Sequence, residues 1–225
     1  MKYKYNYLLG KSPKIYKSDK YSDYENFIMY LAPYNLSGTN ICPNASAGCA
    51  AACLNTAGMG KFDSVQKARV NRTLHYVNDR VGFLQRLTAE VLYHATLHRK
   101  IALRLNGTSD LNFNPFIKKI SKLAPNVVWY DYTKNLKTAI NSLSTPNYHV
   151  TFSRSETNEA DCLKMLSIGI NVAVVFRNKL PNKWKGFEVI DGDKSDTRFL
   201  DKSGVVVGLT AKGLAKKDRT GFVVD

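Results

Sequence analysis

The chain has 225 residues, 44% of them apolar, which suits one well-packed domain. Thirty-three Lys and Arg against 18 Asp and Glu give a formal charge of +15, a field that attracts polyanions and makes nucleic acid a candidate partner. No apolar run approaches the length of a bilayer span and the Tyr- and Lys-rich first twenty residues lack signal-peptide form, which excludes a membrane partner and predicts a soluble intracellular protein.

Residues 1–25 are polar, aromatic and basic without a clear period, and read as an irregular arm or a short edge strand. Residues 26–31 form a compact apolar run, the first buried strand. A cysteine loop over residues 41–60 follows at once, containing Cys42-Pro-Asn-Ala-Ser-Ala-Gly-Cys49-Ala-Ala-Ala-Cys53. Three soft thiolates from one short segment can converge on one ion or cluster at little closure entropy. Cys49 and Cys53, four apart, share one face of a helix expected to start near Gly48, with Cys42 in the loop before it. Ala50, Ala51 and Ala52 keep that helix surface low. The alternative is a set of buried structural thiols or a disulfide.

Residues 63–99 turn helical, with Val65, Ala68, Leu74, Val77, Val81, Leu84, Leu87 and Val91 near three-and-four spacing and a break around 79–82. Strands at 101–105, 127–130, 148–152 and 172–176 then alternate with helices at 116–123, 136–143 and 159–168, and a last buried strand falls at 205–209. The alternation predicts a single α/β domain of mostly parallel strands, arranged as a partial or small β-α barrel. His94 and His98, four apart without a nearby acidic partner, read as a polar helix face.

Parallel sheets place their chemistry in loops at the carboxyl ends of strands. Four such loops stand out: 106–110, 131–134, 153–156, and the acidic turn of Asp191, Asp193 and Asp196. Their convergence on the cysteine loop is the main functional expectation. Within them Asn106, Thr108 and Ser153 are candidates to line a ligand pocket, Lys134 and Arg154 to hold a small anionic ligand, and Asp131 or Glu156 to carry a proton. Each also has a plainer use as a turn or helix-cap residue.

The ligand chemistry favours a four-iron, four-sulfur cluster on Cys42, Cys49 and Cys53, because three clustered thiols hold a cubane and leave one iron open. Zinc is the alternative, with Cys162, a histidine or an aspartate as fourth ligand. A three-cysteine loop after the first strand of a β-α barrel resembles the radical S-adenosylmethionine enzymes, which implies S-adenosylmethionine as a cofactor at the open iron. The spacing here, C-x6-C-x3-C, differs from the CxxxCxxC of that family, and Asn106-Gly107-Thr108 stands where its Gly-Gly-Glu would be.

A second resemblance rests on the cysteine segment together with Tyr130-Asp-Tyr-Thr-Lys134, Phe152-Ser-Arg-Ser-Glu156, Gly169-Ile-Asn-Val-Ala-Val-Val-Phe176 and Asp191-Gly-Asp-Lys-Ser-Asp-Thr-Arg-Phe-Leu200. From about residue 41 onward the chain is similar to bacteriophage proteins of the type called gene product 88. That resemblance implies a phage origin and a bacterial host cytoplasm. It leaves a second function open, a basic phage protein that binds nucleic acid or a host protein and carries a structural metal site.

Overall fold

The computed structural model describes residues 3–20 and 22–225, so positions 1, 2 and 21 of the expected arm lie outside the described residues. The rest of that arm is ordered. It holds a short strand β1 (Leu9–Gly10) and a helix α1 (Pro13–Asp19), the helix being the part that lack of periodicity concealed. Then come β2 (Tyr24–Met29), α2 (Ala47–Ala51), α3 (Asp63–Asn78), α4 (Arg80–Thr96), β3 (Lys100–Arg104), α5 (Asn114–Ile120), β4 (Val127–Thr133), α6 (Leu136–Ser142), β5 (Tyr148–Ser153), α7 (Glu159–Ser167), β6 (Val172–Phe176), β7 (Lys183–Trp184), β8 (Phe187–Asp191) and β9 (Val206–Thr210).

The break between α3 and α4 is a capping event: Asp79 leaves helical geometry and its carboxylate accepts the Gly82 N–H at 2.9 Å. Helix α5 opens with Pro115 in its first turn, and Asn135 caps α6 by accepting from the Thr138 N–H. The β7–β8 hairpin turns through Lys185 and Gly186, both at positive φ, as a two-residue hairpin requires.

All strands join one sheet in the order β1-β2-β3-β4-β5-β6-β9-β8-β7. From β2 to β8 every neighbouring pair is parallel, and only β1 and β7 run antiparallel to their partners. The sheet does not close on itself; β1 and β7 are its edges among the described residues. The main core lies between the sheet and the helices. Ile101, Leu103, Trp129, Phe152 and Val174 from strands pack with Phe83, Leu87, Val91, Ile117 and Met165 from helices. One face of the sheet therefore carries the helix layer.

The segment around a 3-10 turn at Arg198–Leu200 packs against residues of β2, β4 and β5: Phe199 meets the rings of Tyr24, Tyr130 and His149. Asp196 is tied to α1 through its N–H on the Ser18 hydroxyl. Helix α4 ends at Thr96, so His94 and His98 do not share a helix. His94 is buried against Phe27 instead of forming a polar face.

Candidate functional site

The cysteine segment leaves the carboxyl end of β2 and is bound to the loops that leave its neighbours. Gly107 N–H donates to Met29 O, Thr108 Oγ1 donates to Leu31 O, and Asp110 N–H donates to Ile41 O, so the loop after β3 is laced to the approach of the cysteines. Gly107 is required there, since a Cβ would lie 2.7 Å from Met29 O. Asp110 then reaches the end of β4, accepting from Thr133 Oγ1 at 2.6 Å and Lys134 N–H at 3.1 Å. From the end of β5, Glu156 accepts from Ser46 Oγ at 2.6 Å and Gly48 N–H at 2.7 Å. Three of the four expected loops, 106–110, 131–134 and 153–156, meet in this way; the contacts of Asp191 and Asp193 are to Asp193, Thr210 and Lys212 instead.

Helix α2 is shorter than the sequence suggests. Ser46 caps it through the Cys49 N–H, and it stops at Ala51, so Cys53 sits in non-helical geometry beyond the helix, before a 3-10 turn at Leu54–Thr56. Thr56 Oγ1 donates to Cys53 O at 2.8 Å, which holds this exit. Cys49 and Cys53 are thus neighbours through a turn, not along one helix face.

All three cysteines are free and half-buried. Burial pushes the Cys42 thiol up to about 11; the Tyr34 N–H on its sulfur opposes this, and Asp110, Cys53 and Cys49 add to it. Burial also raises Cys53, with the Asn55 N–H lowering it, Cys49 raising it, and Arg69 and Lys134 lowering it. The three sulfurs therefore share one electrostatic environment, with backbone N–H groups on two of them. Among the described residues no group of three or more His, Cys, Asp or Glu side chains is arranged to hold a metal ion. A cluster spreads its thiolate ligands around its own bulk, so its site does not require three sulfurs at one point. Cys162 is remote in kind: it is buried on α7 within the main core, contacts Asn158, and is pushed up to about 12 by that burial.

The floor of the site is the C-terminal segment. Phe222 and Val223 pack with Ala52, Ala211 and Ala215 in a second small core, against which Cys49 rests. Arg154 Nη1 holds this segment by donating to Gly221 O at 2.6 Å and Phe222 O at 2.9 Å. Gly48 is where it comes closest; a Cβ there would lie 2.7 Å from Phe222 Cβ and collide with the Thr220 hydroxyl.

Of the residues singled out from sequence, most are used in construction. Asn106 gives its N–H and side-chain amide to Asp131 and a second amide hydrogen to Leu111 O, and its own oxygen accepts from Ser109 and Leu111. Ser153 offers its carbonyl to Asn158. Asp193 accepts from Thr210 N–H and Lys212, and Asp191 from the Asp193 N–H, which uses the acidic turn internally. Lys134 stands apart, half-buried with its ammonium 5.7 Å from the Phe222 ring centre.

Asp131 also stands apart, 1% exposed and raised by burial to about 7, although Arg104 and the Asn106 hydrogen bonds act against the rise. Arg69 was not evident from sequence. It looks like one more basic residue within α3, and only the fold brings it beside Asn55 and Cys53.

A family model described as Gene product 88 matches residues 7–225. No curated protein and no solved structure matches the chain.

Proposed function

We propose that this chain, which belongs to the gene product 88 family, is a phage iron-sulfur protein whose cluster sits on Cys42, Cys49 and Cys53 at the carboxyl edge of a partial β-α barrel. The observation that carries this reading is the shared environment of three half-buried thiols at the one edge where the loops after β3 and β5 are bonded to the cysteine segment. Buried thiols keep their protons until a metal displaces them, and N–H groups on sulfur are a feature by which proteins stabilise thiolate clusters. The carboxylates that would serve zinc as a fourth ligand, Asp110 and Glu156, are committed to neighbouring loops.

A cubane on three cysteines supplies an open iron that acts as a Lewis acid or a one-electron donor. S-adenosylmethionine, which carries a carboxylate, or a small anionic ligand is the class of molecule suited to it. Asp131, titrating near neutrality, is placed to hold or release a proton at its carboxylate close to the Asn106 turn. Arg154 contributes by fixing the floor, with Nη1 committed to backbone carbonyls.

Anaerobic purification and reconstitution with iron and sulfide test the reading. The expected result is a broad absorption near about 400 nm with roughly four irons per chain, lost in Cys42→Ala, Cys49→Ala and Cys53→Ala. A colourless protein with one zinc per chain sinks it. The charge of +15 favours a second reading, a protein that binds nucleic acid or a host partner around a structural metal. That reading predicts nucleic-acid affinity that falls steeply with salt and persists in folded Cys42→Ala.

A further inference from the structure

Arg69 is 7% exposed and has no carboxylate partner among the described residues. Its Nη1 donates to Asn55 Oδ1 at 2.5 Å, its guanidinium lies 5.1 Å from the centre of the Tyr30 ring, and its Nε has no hydrogen-bond partner. The two other arginines set into the fold also leave Nε without a hydrogen bond, but each has a carboxylate beside it: Arg104 lies 3.7 Å from Asp131, and Arg198 lies 3.2 Å from Asp201. A buried cation without an anion recovers only part of its desolvation cost from one amide oxygen and a ring face. Its orphan N–H calls for an acceptor.

The surroundings of Arg69 say where that acceptor enters. Arg69, from α3, holds Asn55 two residues after Cys53, and Lys134, at the end of β4, faces Phe222, which packs on Ala52 just before Cys53. Lys134 forms no ion pair among the described residues; its ammonium faces the Phe222 ring. Two cations from different elements thus reach the two sides of the Cys53 turn, while the acids of this edge, Asp110 and Glu156, are taken up by hydrogen bonds to loops.

We propose that Arg69 and Lys134 form an oxyanion subsite beside Cys53, which takes the carboxylate or phosphate group of a small ligand. The guanidinium provides a planar donor edge and the ammonium a point charge, a pairing suited to an oxyanion with two or more accessible oxygens. This deepens the cluster reading by naming the ligand class beside the cysteines, and its evidence, the uncompensated buried guanidinium, stands whether or not iron is bound.

The test is calorimetric titration at low salt of both metal-free and anaerobically reconstituted protein, with inorganic phosphate in one arm and acetate in the other. Binding in either arm is expected, weakened at least tenfold in Arg69→Met and several-fold in Lys134→Met, with Arg69→Lys between wild type and Arg69→Met. If Arg69→Met fails to fold by circular dichroism, the half-buried Lys134→Met decides the matter, and unchanged affinity there overturns the proposal. Absence of binding in both arms also overturns it. Protein that takes up no iron yet binds the anion removes the cluster and keeps the subsite, whereas iron uptake without anion binding does the reverse.

Discussion

At the amino edge of the parallel strands, Lys11 bridges Asp19 and Glu25, Arg99 closes on the other oxygen of Glu25, and Lys100 meets Asp23. At the carboxyl edge, Asp110, Asp131, Glu156 and Asp218 all accept backbone N–H groups of other residues at this edge, at Lys134, Asn106, Gly48 and Val223, whereas of the amino-edge acids just named Asp19 does so, from Asn26. The Lys100–Asp23 pair joins two exposed side chains, is screened, holds nothing in register and contributes about 0–1 kcal/mol. A carboxylate on a backbone N–H fixes the path of a loop through a charge-assisted bond. Strut-like acids are thus concentrated at the edge with the thiols, which leaves few there for proton transfer.

This contrast is broken most severely by Gly48→Ala, which forces Phe222 and Thr220 off the cysteine helix. A loss of about 2–3 kcal/mol is expected by chemical denaturation, together with loss of iron uptake. Glu156→Ala removes both bonds to the cysteine segment and costs about 2 kcal/mol. Burial would raise the Glu156 pKa, but the bonds from Ser46 and Gly48 outweigh it and hold the group below its ordinary value. Its contribution is therefore present above the unfolded-state pKa and is lost as pH falls through the lower folded value, so the wild-type and Glu156→Ala melting temperatures should converge in acid.

Asp131→Asn isolates the strut acid of this edge whose pKa burial raises. Its carboxyl titrates near 7 in the fold and near about 3.9 when unfolded, so the folded state holds an extra proton between these values. Stability contributed by this group falls as pH rises across that window and is flat above it. A melting series from pH 4 to 8 should show a shallower decline for Asp131→Asn. Cys162→Ala should cost about 1 kcal/mol through lost packing, with iron content unchanged. Smallest is Lys100→Ala at the amino edge, at most about 0.5 kcal/mol and vanishing in high salt.

Sequence periodicity carried much of the fold because short β-branched runs such as Val127-Val128 and Val172-Ala-Val-Val175 alternate with apolar helical spacing, and that pattern is local. Helix α1 was hidden, since seven residues opening on a proline show too little period. The β7–β8 hairpin was missed although Lys185-Gly186 carried its turn signal. The cysteines were visible as a cluster, but the early end of α2 at Ala51 depends on the turn that Cys53 enters. Asn106 and Glu156 looked like ligand or proton groups because a polar residue past a strand reads the same whether it serves chemistry or holds a loop. Only partners distant in sequence, Asp131 for one and Gly48 for the other, tell them apart.

Glu156 and Gly48 are 108 positions apart, and the tie from Arg154 to Phe222 spans 68 more. Contacts of such separation are the last a chain can close, because each waits on the strands between. The cysteine site is consequently completed after the sheet, and a cluster would be inserted into a finished protein rather than serve as the seed of its folding, unlike small domains that need metal to fold. Refolding rates should be the same with and without a chelator, and iron uptake should lag behind recovery of near-ultraviolet circular dichroism.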